Sequence, residues 1–486
     1  MEETKEIQSA SLNSDKMRST KISKLIWQMS LPAIFSMLVQ ALYNIVDSIF
    51  VSNIKQTNVG IYNGLLEKLG DDCFTAVSVV FPMTMFVVAI GIGIGVGANA
   101  YIARKLGEGN KEKASQAARN AVALAIIAWL VLVVLSFTVT KPFVNAFVNE
   151  NNCSDPVFVA KQAQLYLTIY MAASLGSLLE ITCNRILQAT GNMRVPMISQ
   201  LIGAITNIIL DAVFILGFKW GVLGAILATV IGQWFAAAFT LSIFVFKKQD
   251  VTLKFKGFKL ENKYVSRILK VGMPAFVINA MSSVTTIILN SLLTDSATGI
   301  FVLSAYFKVH SFIFMPVFGL MQGTMPILSY NYGANLKKRF NQAFRQALII
   351  SVSIMIVGTI VFQTIPEPIM GILTDSADLI ADGAKAFRII SIAFIPAAFA
   401  IVIINMLQSI NKPVVSLLMS LCRQLIFLIP SAFILYHFFG QNGIWFCYVI
   451  AEIANIFIFA PIAFVAQKKQ FIRKQAQYDQ GLFATK

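Results

Sequence analysis

Two aspartates, Asp47 and Asp211, stand inside otherwise apolar stretches, and each has polar company at helical spacing. Ser36, Gln40, Tyr43, Asn44 and Asp47 recur at intervals of three and four among Leu, Ile and Val, so a helix through them has one polar face suited to lining a cavity. Asn207 and Asp211 are four apart and stack on one helical face, offering an amide oxygen and a carboxylate to the same point. Holding a charge inside hydrocarbon costs roughly 2.5–3.5 kcal/mol, so two such carboxylates call for a reason. Brought together they repel, unless one holds a proton or both share a hard cation bound through oxygen. The plainer alternative is that each is hydrogen-bonded within a helix bundle. Glu180 is open to two readings, contact with a cationic substrate or pairing with Arg185. Lys308, His310 and Glu452 suggest an internal ion pair, and Arg423 a side chain that reaches out to lipid phosphate.

The elements that must position these residues follow from composition. The 486 residues are 57% hydrophobic and 13% charged, whereas soluble chains are nearer half apolar and a quarter charged. The apolar residues fall into twelve continuous stretches, each long enough as a helix to cross a roughly 30 Å hydrocarbon core. Continuity, in place of alternation, excludes a β-barrel. The expected spans are 24–53, 72–103, 116–140, 161–188, 195–217, 220–246, 264–293, 298–331, 341–364, 384–410, 413–438 and 442–467. The net charge of +16 would point to nucleic acid in a soluble protein, but here it obeys a membrane rule. With an inside start, 30 of the 39 Lys and Arg fall in inner segments and 7 in outer ones, which places both termini in the cytoplasm and the protein in the plasma membrane.

The organisation expected is a cytoplasmic tail (1–23), a first lobe of six spans (24–246), an amphipathic inner linker (247–263), a second lobe of six (264–467) and a C-terminal tail (468–486). The first residues lack a secretory cleavage pattern. Cys73, Cys153, Cys183, Cys422 and Cys447 are odd in number and scattered, and read as inert thiols. The halves repeat in the same order and orientation. Ser30-Leu31-Pro32-Ala33 matches Gly272-Met273-Pro274-Ala275; Gly107, Gln116 and Arg119 match Gly333, Gln342 and Arg345 at an offset of 226; Leu187-Gln188 matches Leu407-Gln408; and Lys247-Lys248-Gln249 matches Lys468-Lys469-Gln470. An even number of spans per half makes the repeats parallel, a geometry of transporters that enclose a central cavity. No phosphate-binding loop, nucleophile elbow or zinc spacing is present, and the run Gly91, Gly93, Gly95, Gly97 lies within a span, where small residues serve helix packing. An enzyme is not expected, and any pumping must draw on an ion gradient.

These residues resemble the multidrug and toxic compound extrusion (MATE) transporters, in the DinF-like branch and its MepA-like subgroup. The resemblance covers nearly the whole chain. It rests on Leu31-Pro32-Ala33 through Leu42-Tyr43-Asn44-Ile45-Val46-Asp47, on Gly95-Val96-Gly97-Ala98-Asn99 through Gly107-Glu108-Gly109-Asn110, and on the stretch from Asn184 to Asn192. Asn331-Tyr332-Gly333-Ala334 and Arg423-Gln424 before Phe427-Leu428-Ile429-Pro430 complete it. It implies an all-α polytopic fold of two six-helix repeats around a central cavity, acting as a cation-coupled antiporter. It also implies a cation site, for H⁺ or Na⁺, at Asp47, Asn207, Asp211 and Thr229, and a bending proline at Pro32. Spans 7 and 10 carry no Asp or Glu, unlike the family's other main branch, which removes a second-lobe cation mechanism. The substrates expected are amphipathic, mostly cationic small molecules held by Gln40, Tyr43, Asn44 and Glu180, in a monomer with no nucleic-acid partner and no cofactor beyond the coupling ion. A lipid flippase is the alternative, weakened by the scarcity of cations within the spans. An ion channel is weaker still, since no pore-loop sequence lies between spans.

Overall fold

The computed structural model describes residues 13–55, 57–58, 68–148, 154–255, 258–293, 297–372, 374 and 376–479. Within these, ten helices are long and apolar enough to cross a membrane, and two bent pairs bring the number to twelve. They are α1 (Ile22–Ser52), α2 (Leu69–Gly107), α3 (Lys111–Thr138), α4 (Pro156–Ala172 and Leu175–Ala189), α5 (Arg194–Gly217) and α6 (Val222–Phe246) in the first half. The second half holds α7 (Asn262–Leu292), α8 (Ala297–Gly333), α9 (Lys337–Thr364), α10 (Ala377–Ser391 and Phe394–Ser409), α11 (Pro413–Ile444) and α12 (Phe446–Asp479). No strand occurs among the described residues. The predicted N-terminal tail before residue 13, the end of the C-terminal tail after 479, and Cys153 lie outside the described residues.

Helix starts follow local chemistry. Gly109, at φ 76°, makes the tight turn after α2, and the Asn110 side chain then accepts from the Lys113 N–H to cap α3. Asp155 caps α4 in the same way at Phe158, with Pro156 in the first turn. Two irregularities occur in corresponding spans of both halves and were not expected from the apolar pattern. α4 and α10 are each bent by 46° at a break. The carbonyls freed there are satisfied from the neighbouring helix: Trp129 Nε1 donates to Ala172 O at 2.7 Å, and Thr359 Oγ1 to Ser391 O at 3.1 Å. α5 and α11 each contain a π-helical turn, Ala212–Gly217 and Cys422–Leu428.

Two connections take forms that the sequence left unspecified. The expected amphipathic linker runs as irregular chain across α3, where Thr252 N donates to Ser115 Oγ at 3.1 Å, Glu261 N to Asn120 Oδ1 at 3.0 Å and Arg119 to Lys254 O at 3.0 Å. The expected C-terminal tail begins as a continuation of α12, helical to Asp479, because Phe471 packs against Tyr332 and Phe340 with ring centroids 5.4 and 5.1 Å apart.

The halves meet through α1 with α8 and α2 with α7. The glycine run of α2 serves two neighbours at once. Gly91 and Gly95 turn to Ile181 and Arg185 of α4, while Gly93 and Gly97, on the opposite side, turn to α7. A Cβ on Gly97 would stand 2.0 Å from Ile268 O, and one on Gly272 would stand 1.9 Å from Gly93 O. Across the other seam, Gly319 and Gly323 of α8 leave room for the backbone of Ile34 and Ser30. These approaches gather toward the end of the bundle that carries both described termini.

Candidate functional site

α1 packs against α5, and α5 against α6, which brings the predicted cation-site residues together inside the first half. Asp47 stands about a turn and a half from the end of α1, and Asp211 immediately precedes the π-helical turn of α5. Their carboxyl groups face one another at hydrogen-bonding range. Asp47 Oδ1 and Asp211 Oδ1 are buried with no donor among the described residues. Asn207 sits one turn before Asp211. In the amide orientation that satisfies both of its ends, Asn207 donates to Asp211 Oδ2 at 3.3 Å and accepts from the Thr229 N–H at 3.2 Å and the Thr229 hydroxyl at 3.3 Å. Asp211 is fully buried and Asn207 nearly so, while Asp47 is half-buried. Two carboxylates, an amide and a hydroxyl therefore converge on one point with too few protons to go round. Such a donor set is chemically suited to a proton shared between the carboxyls or to a small hard cation.

Aromatic side chains surround the pair. Tyr43, one turn from Asp47 on α1, and Tyr166 of α4 both lie close to Asp47 and Asp211. Tyr166 and Tyr170 stack along α4 with centroids 6.4 Å apart, and Gln233 of α6 lies close to Tyr170. Sequence reasoning missed Tyr166, Tyr170 and Gln233; the i,i+4 tyrosine pair in an apolar span was the available signal. Glu180 also lies near Tyr43. The reading that paired it with Arg185 is corrected: Asn184 Nδ2 donates to Glu180 at 3.3 Å, and Arg185 donates to Gln188 at 3.2 Å. A buried polar chain continues from there, since Thr240 Oγ1 contacts Asn184 Oδ1 at 3.1 Å and Ser199 Oγ at 2.8 Å. Gln40 is half-buried on α1; the Asn44 side chain lies outside the described part of the structure. Pro32 lies within an unbroken α1, next to Ser30 and Ile34 at the seam with α8.

The second half differs. Arg423 does not reach out toward lipid phosphate as expected; it pairs with Glu452 at 2.5 Å, so Glu452 belongs to Arg423. His310 stacks on Phe314 at 3.8 Å within an aromatic cluster, and the Lys308 side chain lies outside the described part. Cys73, Cys183, Cys422 and Cys447 are free.

Known proteins share this architecture. A curated relative, the multidrug export protein MepA of Staphylococcus aureus (strain MSSA476), is 25% identical over 435 residues, which cover 89% of this chain and 91% of that protein. The MepA of Staphylococcus saprophyticus is 21% identical over 437 residues, with the same coverage. Among solved structures, an outward-facing multidrug resistance MATE family transporter of the MOP superfamily superposes with a TM-score of 0.83 at 22% identity, over 94% of this chain and 98% of that one. A MATE structure in the bent conformation gives 0.80 at 23% identity, over 97% and 99%. The MatE family model matches twice, at residues 61–213 and 272–434, once in each half and over more than half of the sequence. The chain belongs to the MatE family.

Proposed function

We propose that the protein is a cation-coupled antiporter that exports amphipathic, mostly cationic compounds by alternating access, with H⁺ or Na⁺ bound in the first half. The observation that carries this reading is the facing pair Asp47 and Asp211, ringed by Asn207 and Thr229, with a buried oxygen on each carboxyl left without a donor. The export activity named for the MepA relatives supports the direction and class of cargo. The 30-to-7 bias of Lys and Arg supports a plasma-membrane orientation with both termini cytoplasmic. In that orientation the glycine seam closes the inner end, and the carboxyl pair lies near the outer end.

A cation arriving from outside neutralises the pair and changes what the polar face of α1 presents to cargo. Coupling requires only that cation and substrate prefer different states. Inward movement of one unit charge through about 100 mV supplies about 2.3 kcal/mol, worth roughly a fiftyfold gradient. Tyr43, Tyr166 and Tyr170 offer π faces, and Glu180 a charge, to a flat cationic molecule. Pro32 serves as the hinge of α1, and the chain works as a monomer.

The test is ethidium transport in proteoliposomes of the purified chain under a Na⁺ gradient and, separately, a pH gradient. Transport driven by one gradient and lost in both Asp47→Asn and Asp211→Asn is the expected result. Unchanged gradient-driven transport in either variant defeats the coupling mechanism. Absence of transport under both gradients shifts the cargo toward lipid.

A further inference from the structure

We infer that the second half carries a binding site for an anionic phospholipid, in the groove between the start of α9 and the point where α12 leaves the apolar zone. The groove holds about 310 Å³. Lys337 and Lys468 stand at its rim, the Gln467 amide donates to Asn341 Oδ1 at 2.9 Å across it, and Phe344 and Phe464 form its apolar wall with rings 6.0 Å apart. Both lysines are exposed, and among the described residues neither has an acidic side chain within ion-pair distance. On the outward side of the wall, Phe464, Val465 and Ile462 are exposed at 46%, 53% and 46%, which is the surface acyl chains cover.

The internal repeat provides the comparison that decides the reading. By the offsets of 226 and 221 that relate the halves, Lys337 corresponds to Lys111 and Phe471 to Asp250. In the first half the chain supplies its own counter-ion: Lys111 lies 3.9 Å from Asp250, and the linker covers the place, with Thr252 bonded to Ser115. In the second half the position of Asp250 is taken by Phe471, buried against Phe340, so the carboxylate is gone and an open groove remains. A phosphate esterified to glycerol restores the missing negative charge beside Lys337 and Lys468, and its acyl chains continue along Phe464. Basic pockets between helices at this level of a membrane protein take anionic headgroups. The site involves none of the cation-site residues, so it stands or falls apart from the transport reading.

Native mass spectrometry of the full chain, released from nanodiscs of mixed phosphatidylglycerol and phosphatidylcholine, tests it. The wild type should retain phosphatidylglycerol in preference. Lys337→Gln with Lys468→Gln should cut that preference about twentyfold, near fivefold for each lysine. Asn341→Asp keeps the bond from Gln467, places a carboxylate one turn from Lys337, and should cost about fivefold with both lysines intact. Lys111→Gln should leave the preference unchanged. The proposal is overturned if the lysine pair or Asn341→Asp retains full preference, if Lys111→Gln loses as much as the pair, which means diffuse surface charge, or if excess inorganic phosphate strips the lipid, which means a free-anion site.

Discussion

Replacing Gly272 by Ala should open the end of the bundle that carries the termini. The added Cβ would stand 1.9 Å from Gly93 O, and ordinary contact begins near 3.4 Å, so α7 and α2 must part by about 1.5 Å. Neither atom can turn aside, since one is fixed to a helix backbone and the other is a main-chain carbonyl. Overpacking of this kind costs about 1–3 kcal/mol, which lowers the population of the closed end about 5- to 150-fold. The reporter is Met37→Cys in a chain whose five native cysteines are replaced by Ala, because Met37 lies on the seam, 3.0 Å from Gln322 Nε2. Its rate of modification by a membrane-impermeant maleimide in inside-out vesicles should rise by the same factor in Gly272→Ala. Gly217→Ala, with nothing within 4 Å of the new Cβ, should leave the rate where it was. An unchanged rate in a folded Gly272→Ala protein, or an equal rise in Gly217→Ala, would refute the claim that these glycine contacts hold the end shut.

Glu108 is held by Lys105 and by Lys474, the latter at 2.6 Å from the extended end of α12. Burial alone would raise its carboxyl, but the two lysines outweigh burial and hold it below the ordinary carboxylate range. Its contribution to stability is therefore full above that range and is lost as pH falls through it. The gap in thermal midpoint between wild type and Glu108→Gln, from loss of about 3 kcal/mol at neutral pH, should close under acid; a gap independent of pH would count against the pairing. Glu452→Gln leaves Arg423 without its carboxylate and should cost about 3 kcal/mol in denaturant unfolding while the ion dependence of ethidium transport stays as in wild type. Asn110→Ala removes the cap of α3 and should cost about 1 kcal/mol by the same measurement.

The spans were legible because hydrocarbon demands about twenty apolar residues in a row, and most expected bounds fall within about five residues of the helices; α10 starts earlier, at Ala377, and α11 and α12 run on to Ile444 and Asp479. The extension of α12 was hidden because its apolar contact, Phe471, is single and its neighbours are charged. Asp47 with Asp211 was legible from the cost of two carboxylates inside apolar stretches and from Asn207 at i−4. Thr229 was reached only through the family resemblance, since a lone threonine in an apolar helix carries no signal of its own. The pairing of Arg423 with Glu452 required knowing which faces of α11 and α12 meet, and periodicity within one helix does not contain that. The breaks of α4 and α10 were invisible for a related reason. The donors that make them affordable, Trp129 and Thr359, come from other helices.

The repeat also accounts for the placement of the proposed ion site in one half. By the offset of 242 that pairs Pro32 with Pro274, Asp47 corresponds to Leu289, which is buried in the second core. By the offset of 220 that pairs Leu187 with Leu407, Asp211 corresponds to Ser431, whose hydroxyl is spent on Leu428 O at 3.0 Å, and Thr229 to Val449. The second half thus keeps the break, and has its π-helical turn about ten residues earlier along the span, but offers no matching carboxylate, amide or threonine, so on the proposed mechanism an ion bound in the first half would act on the second through shared contacts. α1 is placed to do this. It meets α5 at Asp47 and α8 at Ser30 and Ile34, and the 13 residues from Ile34 to Asp47 span about 20 Å of helix. Pro32, between Ser30 and Ile34, leaves the carbonyl of Gln28 without its helical donor, so α1 bends most easily at the seam itself. On the proposed mechanism, a change of charge at Asp47 would be converted, at the far end of the same helix, into a change in how closely the two halves approach.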